Sequence, residues 1–80
     1  MDENNRNKVL QIIEKAFEGK RQITEEDSME TVEEWDSFGH ILILTALDKE
    51  FNGKVAGIQD LAGANSVNKI LGILEREKLI

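Results

Sequence analysis

Eighty residues suffice for one small domain, because a chain of this length buries only roughly 60% of the surface it exposes when unfolded and has no material for a second core. Hydrophobic residues make up 40% of it, with no proline, no tyrosine, three phenylalanines and one tryptophan, a balance that favours helices built on Leu, Ile and Val and an all-α domain over residues 1–80. The lack of cysteine excludes a disulfide framework and a thiolate metal site; a net charge of −6 disfavours nucleic acid and anionic lipid, and suits either a partner with a basic docking surface or solubility alone.

The opening residues Met1, Asp2, Glu3, Asn4 and Asn5 contain no basic region followed by an apolar run, and the longest apolar stretch, residues 41–44, is far too short to span a bilayer. A cytoplasmic, monomeric chain without membrane insertion is expected. Met1 and a helical finish at Ile80 fit a standalone protein.

Val9, Leu10, Ile13, Ala16 and Phe17 recur at spacings of three and four, which predicts a helix over residues 4–17 that Gly19 ends. Residues 20–35 hold no period, only Ile23, Met29, Val32 and Trp35, and read as a long loop pinned over one end of the core. Asp36 is a good N-cap for a helix over residues 37–51 that Asn52 and Gly53 close. Val55, Ile58 and Leu61 suggest a short helix between Gly57 and Gly63, and Ser66 caps a last helix with Val67, Ile70, Leu71 and Leu74 on one face. Gly72, inside that helix, either leaves room for a ligand or lets helices approach closely. Three long helices and a short one give a compact helical bundle with a long loop between the first and second.

The second helix has two apolar sides. Ile43, Leu44, Leu47 and Phe51, with His40 near the start, converge on a core side, whereas Phe38, Ile41 and Leu42 project the other way, beside Thr45 and Lys49. Glu33, Glu34, Asp36 and Asp48 rim them, which is the layout of a protein docking patch unless the loop or the short helix folds over it.

Ser37 stands at the first turn of this helix, where unpaired N–H groups and the positive end of the helix dipole favour a phosphodiester. The only base near it in sequence is His40, expected to face inward, so any reaction of the serine needs an outside catalyst. By position alone Ser37 reads first as a plain capped helix start, and it is the context of the whole chain that favours modification. Asp27, Ser28 and Met29 form a second Asp-Ser-hydrophobic triplet, but Glu30, Thr31, Val32, Glu33 and Glu34 follow it, which reads as a turn. One histidine and no cysteine provide no metal-ligand cluster and no convergent acid–base set, so neither a metal site nor an enzyme is expected; His40 is assigned to packing and Trp35 to anchoring the loop.

Trp35, Asp36, Ser37, Phe38, Gly39 and His40, followed by ILILTALDKEF, resemble the acyl carrier protein family, whose hallmark is an Asp-Ser-hydrophobic triplet opening the second helix. The likeness extends in outline over nearly the whole chain. It implies a four-helix bundle in which Ser37, with Asp36 as its motif neighbour and cap, carries a 4′-phosphopantetheine arm taken from coenzyme A by a phosphopantetheinyl transferase. The resemblance further implies acyl or aminoacyl cargo held as a thioester, an acyl- or aminoacyl-loading ligase, downstream acyl-transfer enzymes, and docking through Phe38, Ile41, Leu42, Thr45 and Asp48. Carriers of the fatty-acid type resemble one another in a strongly acidic second helix; here the matching outward positions hold Leu42 and Lys49, which makes the docking surface less electrostatic, and the Trp-Asp-Ser-hydrophobic-Gly-His form looks more like carriers of specialised biosynthetic pathways. A helical adaptor that binds a partner through the same helix without any arm is the other reading.

Overall fold

The computed structural model describes residues 3–80, with side chains from Asn4 onward; Met1 and Asp2, part of the stretch read above for a leader, lie outside the described residues. Helix α1 covers Glu3–Ala16, α2 Ser37–Glu50 and α3 Val67–Arg76, and a single 3-10 turn, Gln59–Gly63, stands where a short helix was expected. Among the described residues there is no strand, only an isolated bridge between Ser28 and Ser66. The fold is mostly helical, and none of these helices is long and apolar enough to cross a membrane.

The periodic residues of α1 face inward: Val9 and Ile13 are fully buried and Phe17 nearly so. The left-handed turn that ends α1 begins one residue before the expected glycine, at Glu18 with φ 60°, and continues through Gly19, whose N–H donates to the Glu14 carbonyl at 2.9 Å. Three of the four expected pins of the following loop, Ile23, Val32 and Trp35, are buried, while Met29 is half-buried against the core. Besides the pins, hydrogen bonds hold the loop. The Ile23 N–H donates to Glu14 Oε2 at 2.8 Å, Arg6 pairs with Glu25, the Met29 N–H donates to the Asn65 carbonyl at 3.0 Å, and the Val67 N–H donates to the Asp27 carbonyl at 3.0 Å. The loop is thereby stitched to α1 on one side and to the start of α3 on the other.

At the end of α2, Asn52 (φ 58°) and Gly53 (φ 82°) make the expected left-handed exit, and the Gly53 N–H returns to the Asp48 carbonyl at 2.8 Å. Helix α3 starts as read from its sequence, with Ser66 Oγ accepting from the Lys69 N–H at 3.2 Å and Val67, Ile70, Leu71 and Leu74 buried. Gly72 neither leaves internal room nor permits a close approach. It lies on the exposed face of α3, where an added Cβ would meet nothing within 4 Å.

Candidate functional site

The site is organised by the first turn of α2. Asp36 is extended (φ −102°, ψ −166°), and its Oδ1 accepts from the Gly39 N–H at 2.8 Å, an N-cap that contributes about 1 kcal/mol. The remaining N–H groups of that turn have no intrahelical acceptor. Ser37 follows immediately. It is exposed, and among the described residues its hydroxyl makes no hydrogen bond.

Two apolar surfaces flank Ser37. On the outer side Phe38, Ile41 and Leu42 are 68%, 57% and 37% exposed, so neither the loop nor the Gln59–Gly63 turn covers them. Thr45 is exposed on the same helix. Of the acidic rim, Glu34 is tied to Arg21 at 3.1 Å, and Asp48 is half-buried with Oδ1 accepting from the N–H groups of Val55 at 3.1 Å and Ala56 at 2.8 Å, so it also braces the segment after α2. Next to this patch, and sharing Ile41 with it, a groove of about 370 Å³ opens beside Ser37, walled by Met29, Ile41, Leu44 and residues 62–65.

Gly39 sets how closely the loop lies on α2. A Cβ at this position would stand 2.3 Å from the Glu34 carbonyl oxygen and 3.1 Å from Phe17 Cε1, so only glycine lets the loop backbone pass over the helix start. The sequence motif includes Gly39, but that role is visible only in the tertiary structure.

His40 faces inward as expected, and does more than pack. Its Nδ1 accepts from the Trp35 indole N–H at 3.1 Å and its Nε2 donates to the Leu61 carbonyl at 2.8 Å. Trp35 offers only a donor and Leu61 only an acceptor, so the imidazole is neutral with its proton on Nε2. One side chain thus joins the end of the loop, α2 and the Gln59–Gly63 turn. Breaking the relay without replacement leaves buried groups unsatisfied at about 1–3 kcal/mol each. With both ring nitrogens engaged, His40 is not placed to deprotonate Ser37.

Ser28 is held in a turn. Its N–H pairs with Thr31 Oγ1 at 2.9 Å, its Oγ accepts from the Glu30 N–H at 3.2 Å, and Asp27 closes the turn through the Thr24 N–H at 2.9 Å and the Thr31 hydroxyl at 2.8 Å. The hydrogen bond from the Thr24 backbone, with help from the Thr31 and Thr24 hydroxyls and nearby Arg21, holds the Asp27 carboxyl below the usual range against a smaller opposing effect of burial. No group of three or more His, Cys, Asp or Glu side chains among the described residues could hold a metal ion.

Compared with protein-family models, curated proteins and solved structures, the chain finds no significant match.

Proposed function

We propose that this chain is a carrier protein of the acyl carrier type, with Ser37 as the attachment point of a 4′-phosphopantetheine arm. It presents thioester-bound acyl or aminoacyl groups to the enzymes of a specialised pathway and catalyses no step. The observation that carries this reading is Ser37 itself: an exposed serine with a free hydroxyl, on the first turn of a capped helix, between an exposed apolar patch and an open groove. In this reading the bundle is the family's four-helix type, with the Gln59–Gly63 turn in place of its short helix.

The residues fit such a group. The free N–H groups at the start of α2 favour a phosphodiester on Ser37 Oγ, and the apolar walls at Met29, Ile41 and Leu44 suit an extended, weakly polar arm. When bound, the arm supplies the thiol that holds the cargo. Ser37 Oγ would join the pantetheine-side phosphorus of coenzyme A as the pyrophosphate bond breaks and adenosine 3′,5′-bisphosphate leaves; the transferase provides the base that takes the serine proton, because His40 is committed to Trp35 and Leu61. Phe38, Ile41 and Leu42 provide the docking contact for the transferase, the loading ligase and the acyl-transfer enzymes, with Thr45 and Asp48 at its edge. Docking can be weak, since a tethered group reaches a partner's pocket at roughly millimolar effective concentration.

Incubation with coenzyme A and a broad-specificity phosphopantetheinyl transferase, followed by intact mass measurement, tests this directly. One added phosphopantetheinyl group is expected on the natural chain and on Ser28→Ala, and none on Ser37→Ala. The exposure of Phe38, Ile41 and Leu42 also favours a second reading, a helical adaptor; its mark is partner binding that persists undiminished in unmodified Ser37→Ala protein.

A further inference from the structure

Resting on the carrier reading of Ser37, we infer that His40 is a bolt between the surface groove and the core, and that the cargo is kept outside the core. The groove beside Ser37 runs along the seam where α2 meets the Gln59–Gly63 turn, with Ser37, His40, Ile41 and Leu44 on one wall and Ala62, Gly63 and Ala64 on the other. His40 stands across this seam. Its Nε2–H to the Leu61 carbonyl, at 2.8 Å, ties α2 to the turn, and the Trp35 indole N–H, at 3.1 Å, holds the ring from the loop side.

On the inner side of α2 the core is closed: Ile43, Leu47, Leu61, Ile70 and Leu71 are all 0–1% exposed. An alkyl chain entering through the seam must part His40 from Leu61. It would then leave the Leu61 carbonyl, the imidazole and the Trp35 N–H buried beside a group that can neither donate nor accept. A cargo that stays in the groove of about 370 Å³ meets no such barrier, because it lies along Met29, Ile41 and Leu44 without parting His40 from Leu61.

The test bypasses the arm. A Ser37→Cys protein is alkylated with iodoacetamides bearing a two-carbon or an eight-carbon chain, and methyl NMR spectra and the thermal midpoint are recorded. Both adducts should shift the groove methyls of Met29, Ile41 and Leu44, leave those of Leu47, Ile70 and Leu71 in place, and leave the midpoint unchanged. Core-methyl shifts and a raised midpoint with the eight-carbon chain alone would overturn the inference. Adding His40→Ala, or His40→Phe if that protein does not fold, should let the eight-carbon chain reach the core methyls; if the core stays closed in the unbolted protein, His40 is not the bolt. Failure of the transferase to modify Ser37 would instead strike the carrier reading, and leaves the adduct result to decide the bolt on its own.

Discussion

The Trp35 indole N–H donates to His40 Nδ1 across 3.1 Å, with the two rings within 13° of parallel and their centroids 6.1 Å apart. Because the same imidazole donates to the Leu61 carbonyl, this contact fixes its tautomer and joins the loop to the helix that carries Ser37. Trp35→Phe keeps an aromatic ring in place but removes the donor and some buried volume. Stability should fall by about 1–3 kcal/mol, read as a lower urea midpoint. Long-range nitrogen–proton NMR of the natural protein should place the His40 proton on Nε2; a proton on Nδ1 would contradict the relay.

Two glycines should respond to alanine in opposite directions. Gly39→Ala forces the Glu34 carbonyl away from α2 and should cost about 1–3 kcal/mol. Gly72→Ala adds a methyl on the open face of α3 and should raise stability by about 0.5–1 kcal/mol through helix propensity. Chemical denaturation of the two variants decides both, and a destabilising Gly72→Ala would mean that this face of α3 is covered.

Acid sensitivity should trace in part to Asp27. Its folded pKa lies below the ordinary aspartate value of about 3.9, so its ionised form stabilises the fold above that value and the contribution is lost as pH falls through the lowered folded pKa. Asp27→Asn should flatten the acid limb of the stability–pH profile. An acid limb as steep as that of the natural chain would assign the loss to other carboxylates.

The exposed patch should separate stability from recognition. Phe38→Ser and Ile41→Ser should each change stability by no more than about 0.5 kcal/mol, since these side chains are 68% and 57% exposed. The transferase kcat/KM should fall roughly tenfold, the equivalent of about 1.4 kcal/mol of lost docking energy. Unchanged kinetics would remove the patch from docking with this partner.

What the sequence makes legible here is whatever leaves a local signature. Asp36 and Ser66 announce their helices because a short acceptor side chain before an apolar period has few other uses, and the spacing of Val67, Ile70, Leu71 and Leu74 marks the buried face of α3. Phe38, Ile41 and Leu42 are legible as an outward apolar set because α2 already has a core side in Ile43 and Leu47. The partners of His40 are not legible: one is a main-chain carbonyl, Leu61, which has no residue signature, and the other lies at the end of a loop without periodicity. The crowding at Gly39 likewise comes from the Glu34 backbone, and the exposure of Gly72 follows from how α3 is seated rather than from its own composition. The segment around Leu61 is a 3-10 turn and not an α-helix, consistent with flanking glycines that weaken the longer ladder.

The exposed Ser37 hydroxyl is the centre of the functional reading, and one measurement bears on it most directly. Intact mass of the purified chain after treatment with coenzyme A and a broad-specificity phosphopantetheinyl transferase should show a single added phosphopantetheinyl group, absent in Ser37→Ala and retained in Ser28→Ala. An unchanged mass for the natural chain, or a modification that survives Ser37→Ala, would contradict it.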